Sequence, residues 1–149
     1  MKLNHDEFTE AAFLFEKENR RLHSEFENGI IENSRLKTIP ANELEADIIY
    51  GIKKGIYETE AERVNAYWAL SKRNNKKLVP DFRTCLQTEL EAENPIAVFQ
   101  ILVALDLLNE PSFAPERDSL DVNETELNIN DAKNYLGKQS QSIPGNPKV

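Results

Sequence analysis

The stretch Asn94-Pro-Ile-Ala-Val-Phe-Gln-Ile-Leu-Val-Ala-Leu-Asp-Leu-Leu-Asn109 carries only two polar side chains between its ends, Gln100 and Asp106. Val98, Ile101, Leu102, Leu105 and Leu108 recur at steps of three and four, which is one stripe of an α-helix. Phe99, Val103 and Ala104 widen that stripe to most of the circumference. Asn94 reads as an N-cap, and Pro95 falls at the first helical position, where a missing N–H costs nothing. A helix so apolar must be covered on several sides, so the pattern predicts the central helix of a helical fold. It organises a core and offers no chemistry.

Immediately upstream, Leu78 to Glu91 reads as a helix with Leu78, Phe82, Cys85, Leu86 and Leu90 inward and Pro80 in its first turn. The connection to the central helix is too short for anything but an antiparallel pair. Further back, Thr59 and Glu62 fit a capping box that opens a helix with Val64, Tyr67 and Trp68 inward. Pro40 opens another, with Leu44, Ile48, Ile49, Ile52 and Ile56 inward and Gly51 and Gly55 weakening its end. Phe8, Ala11, Phe15, Leu22 and Phe26 predict a long first helix from Asn4 to Phe26. Downstream, a loop with Pro111 and Pro115 leads to a last helix ending at Leu136. Gly137 onward lacks an apolar cluster, so residues 138–149 are expected to form a flexible tail. The expectation is an all-α fold: one domain, residues 1–137, of about six helices in antiparallel hairpins.

A weak repeat underlies this order. At an offset of 35, Thr59 meets Asn94, Val64 meets Phe99, Tyr67 meets Leu102, and Trp68-Ala69-Leu70 meets Val103-Ala104-Leu105. Two such units suggest a stack of HEAT-like alpha-hairpins.

The composition excludes several classes of function. No run of eighteen apolar residues exists to span a membrane. The start of the chain turns acidic at once and lacks an apolar signal core, which predicts a cytoplasmic protein. Cys85 is the only cysteine, and its apolar neighbours predict a buried thiol. His5 and His23 are the only histidines. Eighteen residues apart on one helix, they cannot share a metal, and both are expected at the surface. Neither is a plausible base for a nucleophile, and the five glycines form no phosphate-cradling loop. The run from Asp121 resembles the start of a calcium loop but has Glu126 where glycine is needed and Ala132 where the last carboxylate belongs. No catalytic, cofactor or metal residue is therefore assigned, and no enzyme activity is expected.

Charge is the most informative property. From Glu89 to Asp131 stand eleven acids against one base, Arg117, while the rest of the chain holds fifteen acids and seventeen bases. The whole negative excess behind the net charge of −8 thus lies in one segment. Such a surface favours a cationic protein partner and disfavours direct binding of nucleic acid. The candidate partner-binding residues are Glu89, Glu91, Glu93, Glu110, Glu116, Asp118, Asp121, Glu124 and Glu126.

Ala66 to Leu70, Gln100 to Leu105, Asn109 to Phe113, Asn128 and Asp131 to Leu136 together resemble small helical bacterial proteins. Proteins of that kind are found as cognate immunity proteins of polymorphic or contact-dependent toxin systems. The likeness spans about the last ninety residues. It implies a cytoplasmic protein that binds a toxin domain, often a basic nuclease, and covers its active site. The alternative is a helical-repeat scaffold or adaptor for another basic partner.

Overall fold

The structure, a computed structural model, describes residues 1–141. Among these residues it contains seven α-helices, one 3-10 turn and no strand. The all-α expectation holds, with one helix more than the periodicity suggested. The helices fall into two compact units, the first ending at Asn75 and the second starting at Lys76.

In the first unit, α1 (His5–Glu18), α2 (Glu25–Asn33), α3 (Ala41–Lys54) and α4 (Glu60–Ser71) surround a core that includes Phe8, Phe15, Leu44, Ile48, Tyr57, Tyr67 and Leu70. Three of the four start with the same device. Asn4 with Glu7, Ser24 with Glu27 and Thr59 with Glu62 each form a reciprocal capping box that satisfies two orphaned backbone donors. The Ser24 box explains why the first helix is not continuous to Phe26. The chain breaks at Arg20, whose φ is +66°, and Arg21 and His23 turn back onto Glu16. Leu22 is consequently 93% exposed and Phe26 78%, although both continue the apolar stripe of α1.

His23 also differs from expectation. Its side chain is 1% exposed, held 3.2 Å from Glu16 and tilted against Phe13. Helices α1 and α4 run in the same direction, not as an antiparallel hairpin. At their starts Lys2 pairs with Glu62 at 3.1 Å. At their ends the Asn19 amide donates to the carbonyls of Lys72 and Arg73, closing the C-terminus of α4. Trp68 stands only partly covered beneath the Lys72 ammonium, while Tyr67 takes the core position. Ile49, Ile52 and Ile56 are likewise only partly covered.

The second unit begins with the 3-10 turn Lys76–Leu78, followed by α5 (Val79–Glu91), α6 (Pro95–Leu107) and α7 (Thr125–Gln141). Helix α6 lies against both α5 and α7. Ala97, Val98, Ile101, Leu102, Ala104 and Leu105 are sealed from solvent, as expected of a central helix, and Cys85 is buried. The Asn94 cap is not formed. Its amide instead donates to Glu89 at 2.8 Å, and Glu89 occupies the inward position that periodicity gave to Leu90. Helix α7 continues through Gly137 to Gln141, past the boundary expected at residue 137. The remainder of the expected tail lies outside the described residues.

Candidate functional site

After α6 the chain doubles back along the helix it has just left. The Ser112 hydroxyl donates to the Leu102 carbonyl at 2.8 Å, and the Phe113 ring sits 5.9 Å from Phe99, near the start of α6. Acids of the loop are thereby drawn away from the C-terminal end of α6, where a simple hairpin would leave them. The loop and α7 frame a cleft of about 310 Å³ lined by Phe113, Glu116, Asn134 and Tyr135.

Arg117 fastens this arrangement. Its guanidinium donates to Asp131 at 2.8 Å, to Asn128 at 3.1 Å and to Glu124 at 3.1 Å, and lies over the Phe113 ring. The side chain is 5% exposed and that of Asp131 is 6% exposed. The lone base of the acidic segment is therefore an internal tie between loop and helix. Asn128 adds a second stitch, donating to the Asp121 carbonyl at 3.0 Å.

A separate network closes the other end of the loop. Glu110 accepts from the Tyr135 hydroxyl at 2.6 Å and from Arg83 at 2.7 Å, while Arg83 Nε also donates to the Tyr135 oxygen. Burial pushes the Tyr135 phenol up to about 12, and the Glu110 carboxylate adds to that rise. Burial works against ionisation of Glu110 too, but the Tyr135 and Arg83 hydrogen bonds hold its carboxyl below the ordinary value. Neither network resembles a catalytic constellation, since each cation is matched by a carboxylate and no nucleophile is presented.

The nine acids named from the sequence divide accordingly. Glu89 is 1% exposed and faces Asn94. Glu110 and Glu124 are engaged by Arg83 and Arg117. Glu91, Glu93, Glu116, Asp118, Asp121 and Glu126 are exposed. Between Arg83 and Lys133 the only base is the buried Arg117, so this segment presents acids to solvent and no cation. Sequence reasoning missed the organising roles of Arg117, Asn128 and Tyr135. A solitary arginine among eleven acids was the available signal for an internal ion pair. No family model, curated protein or solved structure matches the chain, and among the described residues no helix is long and apolar enough to cross a membrane.

Proposed function

We propose that this chain is an immunity protein that binds a cognate bacterial toxin domain, one with a basic, nuclease-like surface, and blocks its active site in the cytoplasm. The observation that carries this reading is the seven exposed carboxylates between Arg83 and Lys133 (Glu91, Glu93, Asp106, Glu116, Asp118, Asp121 and Glu126), with no exposed base among them. The supporting loop is held by internal ion pairs, so its acids are pre-positioned and little ordering entropy is lost on docking. A cationic toxin would be steered towards such a face and its phosphate-binding groups occupied. The test is growth protection. The toxin domain encoded beside this gene is induced with and without the chain. Restored growth together with a one-to-one complex supports the reading. Continued toxicity at matched expression, or the absence of any toxin domain beside the gene, contradicts it.

The second reading, a helical-repeat adaptor for a basic partner, is favoured by one observation. Residues 64–70 and 99–105 share the same order of covered and half-covered positions at the 35-residue offset, Tyr67, Ala69 and Leu70 matching Leu102, Ala104 and Leu105. An adaptor would bind the basic partner without suppressing any toxicity, so the growth assay separates the two.

A further inference from the structure

Resting on the immunity reading, we infer that the partner docks on an apolar seat formed by Leu120 and Leu127, with Asp118, Asp121 and Glu126 as its rim, and that the occupant is an amphipathic protein segment rich in lysine or arginine. Leu120 is 47% exposed and Leu127 is 45% exposed. The Asn128 amide donates to the Asp121 carbonyl at 3.0 Å, so the residue after Leu127 is stitched to the residue after Leu120. Arg117 holds the same loop to the same face of α7 through Asn128 and Asp131. Both leucines thus stand on backbone fixed from beneath, the condition for an energetic anchor within an interface.

Charge selects the occupant. The immediate sequence neighbours of the seat are Asp118, Asp121, Glu124 and Glu126, and the single nearby cation is the buried Arg117. In the first unit the company of exposed hydrophobics is mixed: Leu22 and Phe26 have Arg20, Arg21 and Glu25 beside them. Ile96 and Leu107 also have only acids as charged sequence neighbours, but at Leu120 and Leu127 two exposed apolar residues share such a rim, on segments tied by the Asn128–Asp121 hydrogen bond. A rim of acids accelerates the approach of a cation, and the apolar centre slows its release.

The probe is a synthetic helical peptide of leucine and lysine at amphipathic spacing, added to the isotope-labelled full chain. Poly-lysine of equal charge and a leucine–glutamine peptide serve as comparators. Amide shifts should concentrate at residues 118–128, and the leucine–lysine peptide should bind at least about tenfold more tightly than either comparator. The Leu120→Ala, Leu127→Ala variant should lose about tenfold in affinity through faster dissociation, with its melting temperature unchanged. Absence of binding, equal binding of poly-lysine, or shifts centred on Glu91 and Glu93 or on Phe26 would overturn the inference. Because the peptide assay needs no toxin, the seat can fail while growth protection stands, and the reverse is equally visible.

Discussion

The Tyr135 hydroxyl lies 2.6 Å from Glu110 Oε1, joining α7 to the residue just past the end of α6. Arg83 of α5 touches both groups, so one three-membered network ties all three helices of the second unit. Removing the hydroxyl in Tyr135→Phe leaves Arg83 Nε without its acceptor and Glu110 with one donor fewer. The expected cost is about 1–3 kcal/mol, read as a lower urea midpoint at constant slope.

The same network sets two limbs of a pH–stability profile. Glu110 has a folded pKa below its unfolded value near 4.5, so its contribution is present above that value and is lost as pH falls through the folded one. Tyr135 has a folded pKa raised from 10 to about 12, so its contribution is complete below pH 10 and is lost as pH rises towards 12. Denaturation followed against pH should therefore show an alkaline loss between those values that Tyr135→Phe diminishes. An identical alkaline limb in the variant would contradict this assignment.

Leu102 is fully buried in α6, and Leu102→Ala should cost about 2–5 kcal/mol by opening a cavity. Trp68, the only tryptophan, is only partly covered, so acrylamide should quench its fluorescence in the folded chain more than it would a fully buried indole. Protection of Trp68 to the degree of a core residue would be the contrary result.

Two glycines should respond in opposite directions to alanine. A Cβ at Gly29 meets nothing within 4 Å in the helical α2, so Gly29→Ala should stabilise by about 0.5–1 kcal/mol. At Gly51 the added carbon would come 2.8 Å from the Tyr57 ring and 2.9 Å from Ile56, forcing a shift of a buried side chain whose hydroxyl accepts from Leu3. Gly51→Ala should lower the melting temperature, and parallel thermal scans of the two variants check both signs.

Arg117→Met should be severe, because Asp131 would remain buried without its cation. A loss of about 3–5 kcal/mol is expected for breaking such a pair from one side. Asp131→Asn, which keeps the shape and removes the charge, should be milder, and chemical denaturation of both variants tests the order.

These elements also show where sequence reading reached its limit. The almost wholly apolar run of α6 announced its burial, and the Thr59 capping box announced α4. Asn4 with Glu7 and Ser24 with Glu27 carry the same chemistry, yet the apolar stripe running on through Leu22 and Phe26 concealed the break. Apolar spacing reports what a helix could bury, not whether the chain turns at Arg20 before it can. At the candidate site, counting charges located the acidic segment. It could not separate Glu89, Glu110 and Glu124, which bond inward, from the exposed carboxylates. For Glu110 and Glu124 that division depends on the loop folding back, held to α6 by Ser112 and to α7 by Arg117, whereas Glu89 turns inward to the Asn94 amide.

The proposed immunity role is tested most directly by the association rate of the purified chain with the toxin domain that this proposal requires beside its gene, measured as ionic strength is raised. The charge-reversed variant Glu116→Lys, Asp118→Lys, Asp121→Lys, Glu126→Lys is measured alongside a Glu91→Lys, Glu93→Lys variant. All six positions are exposed, so neither variant should change the melting temperature appreciably. Salt should slow association of the parent, and the fourfold reversal should slow it further, by about tenfold or more, and weaken protection of cells. The Glu91, Glu93 reversal should have the smaller effect. If both variants associate and protect as well as the parent, at a rate insensitive to salt, the acidic face of the second unit is not where the toxin docks.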